Sequence, residues 1–72
     1  MPGKVILTFR STHDAIVAER LCLRNKIACQ AIPVPRDISA ECGIALETSS
    51  TLGAQMISVL EGERIPFVVH ER

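Results

Sequence analysis

Seventy-two residues, 47% of them apolar, suffice for one small domain and are too hydrophobic for a disordered chain. Eight basic residues balance eight acidic ones, and Trp and Tyr are absent. Neither the phosphate-neutralising charge nor the stacking rings of a nucleic-acid binder is present, so no nucleic-acid partner is expected. No apolar run approaches the ~20 residues of a membrane span. Met1-Pro2-Gly3-Lys4 leads straight into a strand-like segment without a signal peptide. The expectation is a single domain over residues 1–72 of a soluble cytoplasmic protein with no membrane contact.

Lys4 to Arg10 alternates Val5, Leu7 and Phe9 against Ile6 and Thr8, the period of a strand. Ser11 follows as a helix cap, with Asp14 three residues on in a capping-box-like S-x-x-D. Ala15, Ala18, Leu21 and Cys22 form the buried stripe of this helix, which ends near Asn25-Lys26. Ala28 to Val34 reads as a second strand and Gly43 to Glu47 as a third, with a loop between them. Ser49 and Ser50 suit the start of a second helix, whose stripe is Leu52, Met56, Val59 and Leu60. Gly62 stands where a left-handed stop is expected, and Ile65 to His70 is the last strand, with Ile65, Phe67 and Val69 on one face.

The order β-α-β-β-α-β predicts an α+β fold. It is the ferredoxin-like plait, a four-stranded antiparallel sheet with two helices on one face. Strands two and four are its edges. Pro33 and Pro66 fall in those two strands, where a residue without an N–H does least harm. The plait brings distant segments together: Ser11, Thr12 and His13 are expected near Arg36, Ser39, Cys42 and Gly43, at the end to which Glu63-Arg64 also returns. A helix N-terminus carries about half a positive charge and unpaired N–H donors, which favour a nearby anion or thiolate.

Three cysteines without a secretion signal imply reduced thiols, not a disulfide framework. Cys22, Cys29 and Cys42 are spaced by seven and thirteen residues, so C-x-x-C is absent and neither a structural zinc site nor any other metal or cofactor is expected. Cys42 has two readings. A cation and a helix N-terminus can lower a thiol from about 8.5 to below roughly 7.5 and make a nucleophile of it. Alternatively it is a small residue packed at a strand start, and the neighbouring Glu41 works against a lowered pKa. Arg36 holds an anion, or pairs with Asp37 or Glu41, or faces solvent. His13 shuttles a proton or is merely exposed. Cys22 belongs to the core stripe, the exposure of Cys29 is open, and neither is placed to resolve a disulfide with Cys42.

The blocks F-R-S-T-H-D-A-x-x-A-E (Phe9 to Glu19) and P-V-P-R-D-I-S-x-x-C-G-x-A (Pro33 to Ala45) together resemble the selenium/sulfur carrier protein-like family. The resemblance implies a carrier that holds the chalcogen as a persulfide or perselenide, without catalysis of its own. It makes Cys42 the carrier residue, with Arg36, Ser39 and Gly43 completing the second block and Ser11, Thr12 and Glu19 matching the first. It also implies sulfur or selenium donor and acceptor proteins as partners.

A rival reading is a small-molecule-sensing or protein-interaction module acting as a homo-oligomer, with a pocket near Ser11 and Arg36. Ile16, Val17 and Leu23 widen the first helix's apolar arc beyond one core face, and Ile6, Ala45 and Val68 are expected as neighbours on the sheet's outer face. Both groups, and the small size of the chain, point to self-association. A stand-alone enzyme is not expected, because no oriented acid–base pair is evident.

Overall fold

A computed structural model describes residues 3–38 and 43–71. It contains β1 (Lys4–Thr8), α1 (Thr12–Arg24), β2 (Gln30–Pro33), β3 (Ile44–Ser49), α2 (Ser50–Gly62) and β4 (Val68–Glu71). The strands form one sheet in the order β2-β3-β1-β4, with every neighbouring pair antiparallel. This is the α+β ferredoxin-like plait that the element order predicts, with β1 and β3 central. Strand β3 runs on to Ser49, further than its apolar residues suggest. Thr48 is buried there and its hydroxyl donates to the Ala28 carbonyl at 2.7 Å.

Alternation along the central strands decides what faces the helices. Leu7 of β1 lies opposite Leu46 of β3, and both are completely buried. Val5 and Phe9 share that face with the stripe Ala15, Ala18 and Cys22 of α1 and with Met56 and Leu60 of α2. Small residues set how near the helices lie. A Cβ added at Gly53 of α2 would stand 2.9 Å from Cγ2 of Val5, so only glycine permits this approach of α2 to β1.

The sheet's other face is not left bare. Ile38, in the connection between β2 and β3, packs on Ile6 and Ala45, with Ile32 and Val34 at the margin. A turn made by the Ile38 N–H donating to the Pro35 carbonyl at 3.0 Å brings it there. The Val34 N–H donating to the Gly43 carbonyl at 3.4 Å ties the two arms of the connection together. The expected outer apolar surface of Ile6, Ala45 and Val68 is thereby corrected. The chain covers the first two itself, and Val68 alone stays exposed. On the helices, Ile16 and Leu23 are exposed as their positions predict.

Both helices end by the same device. The Lys26 and Ile27 N–H groups donate to the Leu23 and Cys22 carbonyls, and those of Arg64 and Ile65 donate to Glu61 and Leu60. Each is a Schellman stop, with the left-handed residue followed by an isoleucine that returns to the core side. The left-handed residues are Lys26 (φ 60°) and Arg64 (φ 59°), not Gly62. Helix α2 carries Gly62 inside its last turn and has Glu63 as C-cap, which moves the stop two residues along. Pro66 likewise precedes β4 and does not lie within it, whereas Pro33 does occupy the edge strand β2.

Two stability outcomes follow. Gly53→Ala adds helix propensity worth about 1 kcal/mol, but overpacking against a stiff β-branched neighbour costs about 1–3 kcal/mol. A lower denaturation midpoint is expected, and the same change made on top of Val5→Ala is expected to be neutral or stabilising. Arg64→Gly relieves a left-handed conformation that costs a non-glycine residue roughly 1–2 kcal/mol. After the added entropy of an unfolded glycine, its unfolding free energy is expected to rise by up to about 1 kcal/mol, read as a higher denaturation midpoint.

Candidate functional site

The strand registers define the two ends of the molecule. At one end Thr8 of β1 lies opposite Ala45 of β3 and Val68 of β4, and Pro33 of β2 lies opposite Ile44. The start of α1, the connection between β2 and β3 and the last turn of α2 therefore share this end. Ser11, Thr12, Arg36 and Gly43 all belong to it. Ser39 and Cys42 lie outside the described residues.

Each described member has a definite local role. Ser11 is the N-cap of α1, in extended conformation, and its hydroxyl accepts from the Asp14 N–H at 3.1 Å. That satisfies one donor of the first turn, while Thr12 and His13 have no intrahelical acceptor for theirs. Thr12 and His13 are exposed at the mouth of the helix. The His13 ring approaches the Asp14 carboxylate at 3.9 Å, so a negative group already stands in the first turn and offsets part of the helix's positive end. Arg36 occupies the turn from Pro35 to Ile38 and is exposed, and no other described residue forms an ion pair with it. Gly43, which follows Cys42 in the chain, is exposed, and a Cβ there would meet nothing within 4 Å. This end offers the exposed Arg36 guanidinium, two outward N–H donors and a connection held to the sheet by Ile38. Such groups can stabilise an anionic sulfur or selenium, or a small oxyanion.

The opposite end carries a feature that the residue pattern does not disclose. There Lys4 lies opposite Ser49, and Gln30 lies opposite Glu47. A cleft of about 470 Å³ opens between Gly3, Lys4, Cys29, Glu47, Thr48 and Ser49. The Lys4 ammonium stands 3.5 Å from the Glu47 carboxylate at its edge. Cys29 is half-buried in its wall and packs against the core cluster that holds Cys22, which is fully buried in the last turn of α1. Burial first, and the neighbouring Cys29 second, push the Cys22 thiol up to about 12. Burial also raises Cys29, although the hydrogen bond from Cys22 acts against that rise. The sequence signal for this pair is the seven-residue spacing across a helix stop. The Schellman turn returns Ile27 to the Cys22 carbonyl, and Cys29 follows two residues later.

The plait, with Ser11, Thr12, Arg36 and Gly43 at one end of its sheet, thus defines a small α+β domain of ferredoxin-like fold. The family described as "Putative Se/S carrier protein-like" matches the chain over residues 4–68. The chain belongs to that family. Neither the curated proteins nor the solved structures contain a match to it. Among the described residues no helix is long and apolar enough to cross a membrane, and no group of three or more metal-ligating side chains is present.

The raised Cys22 thiol links stability to pH with a definite sign. The native state keeps the proton up to about 12, whereas the unfolded chain releases it near the ordinary value of 9.0. Stability is fully present below pH 9 and is lost as pH rises towards 12. Denaturant midpoints measured between pH 8 and 11 are expected to fall more steeply in the native protein than in Cys22→Ala.

Proposed function

We propose that this protein carries sulfur or selenium on Cys42 and performs no catalysis of its own. Membership of a carrier family over residues 4–68, a span that includes Cys42, is the observation on which this reading rests. A carrier implies a donor that loads it and an acceptor that unloads it. The Cys42 thiolate attacks the terminal sulfur of a donor persulfide, and the donor's S–S bond breaks. The donor leaves as a thiolate, and the proton stays with the transferred sulfur. The acceptor thiolate repeats the exchange and restores Cys42. No net oxidation occurs, in keeping with work in a reducing, cytoplasmic setting.

Arg36, Ser39 and Gly43 are the proposed surroundings of the loaded sulfur, with the Ser11-Thr12 helix start across from them. Their contribution is electrostatic: positive charge and N–H donors favour the thiolate and the persulfide anion. The rival sensing module calls for a pocket near Ser11 and Arg36. The cleft described above lies at the other end of the sheet, so it adds no support to that rival.

Intact-mass measurement after incubation with a low-molecular-weight persulfide checks the carrier role. A gain of one sulfur mass is expected on the tryptic peptide 37–64, which contains Cys42 and no other cysteine. Cys42→Ser is expected to abolish that gain, and an unchanged gain in this variant would remove the role. Arg36→Glu is expected to slow loading, because a carboxylate near the thiol disfavours its ionised form.

A further inference from the structure

A pair of thiols at the end of the sheet remote from Cys42 has no part in the carrier reading. Cys22 sits at the C-terminal turn of α1 and is completely buried. Cys29 lies just before β2, packs against the same core and lines the cleft. Ile27 and Cys29 both pack on the core in which Cys22 is buried, and each thiol acts on the ionisation of the other. The helix stop holds them together, since the Ile27 N–H donates to the Cys22 carbonyl at 2.8 Å and so turns the chain back on itself.

We propose that Cys22 and Cys29 form a redox-active dithiol, which is oxidised to an intramolecular disulfide by a low-molecular-weight disulfide admitted through the cleft. The cleft's volume of about 470 Å³ lies within the range of small-molecule pockets. Burial sets the order of events. Cys29, reached from the cleft, loses its proton and attacks one sulfur of the small disulfide. That S–S bond breaks, a mixed disulfide forms on Cys29, and one small thiolate leaves. Cys22 then attacks the Cys29 sulfur, and the second small thiolate departs with both electrons accounted for. In sum two protein thiols are oxidised, one small disulfide is reduced to two thiols, and the two protons pass to the products.

Burial favours the product as well. A thiolate in this environment is disfavoured, which is why both thiols resist ionisation. A disulfide carries no charge and suits the apolar surroundings that the thiolate does not. The same resistance to ionisation makes the exchange slow at neutral pH and faster as pH rises, since only the thiolate attacks.

The test uses the full chain, native and Cys42→Ser, incubated with oxidised glutathione, acid-quenched, alkylated and digested with trypsin. Trypsin cuts after Arg24, Lys26 and Arg36, so Cys22, Cys29 and Cys42 fall on three separate peptides. The expected result in both proteins is peptide 21–24 linked to peptide 27–36, with a rate that climbs from pH 7 to 9. In Cys22→Ala the glutathione adduct is expected to persist on Cys29, and in Cys29→Ser the Cys22 peptide is expected to stay unmodified in the folded protein. A lasting adduct on Cys29 in the native protein, a link from either peptide to 37–64, or no oxidation at all would overturn the proposal. In Cys42→Ser the link between peptides 21–24 and 27–36 is read with Cys42 removed, so its failure is distinct from a failure of sulfur loading at Cys42.

Discussion

The cross-strand contact of Leu7 with Leu46, sealed under two helices, is the constraint on which the remaining structure depends. A one-residue slip between β1 and β3 would put the two leucines on opposite faces of the sheet and turn one strand's apolar set away from the helices. Because that register is fixed, the far ends of β1 and β3 are fixed too. The start of α1 and the connection between β2 and β3 therefore meet at one end, and Cys29 and Lys4 fall at the other. The connection between β2 and β3 is thus located by a hydrophobic pair well away from it.

A chain this short has little apolar material to spare, and it places some on both faces of the sheet. The inner core is built around small helix residues, Ala15, Ala18 and Gly53, which let α1 and α2 lie close to the strands. Among the described residues the outer face is closed by Ile38, with Ile32 and Val34 beside it. This second contact matters for the site, because it holds Arg36, two residues before Ile38, beside the sheet's end. Stability and placement of the candidate carrier loop are consequently the same question at Ile38.

The two ends of the molecule differ in their chemistry. The end with Ser11, Thr12, Arg36 and Gly43 is exposed and offers a cation and N–H donors, the conditions under which sulfur or selenium anions are stabilised. The end with Cys22 and Cys29 is apolar and holds its thiols protonated.

Much of this was legible in the residues themselves. Strand alternation at Val5, Leu7 and Phe9, the Ser11 cap with Asp14, and the Leu52–Met56–Leu60 stripe each report a local rule, and each is found where it was expected. The carrier resemblance, too, is carried by contiguous blocks, and the family match spans them. The closure of the outer face by Ile38 was not legible, nor was the shift of the left-handed stop to Arg64, nor the approach of Cys29 to the core around Cys22. The last two turn on where the Schellman stops fall within a few residues of chain, and the first on packing between segments distant in sequence. Propensity and periodicity encode which side of an element is apolar, but the partner that covers it is chosen only when the strands lock their register and the helices settle at a distance set by Gly53 and the alanines.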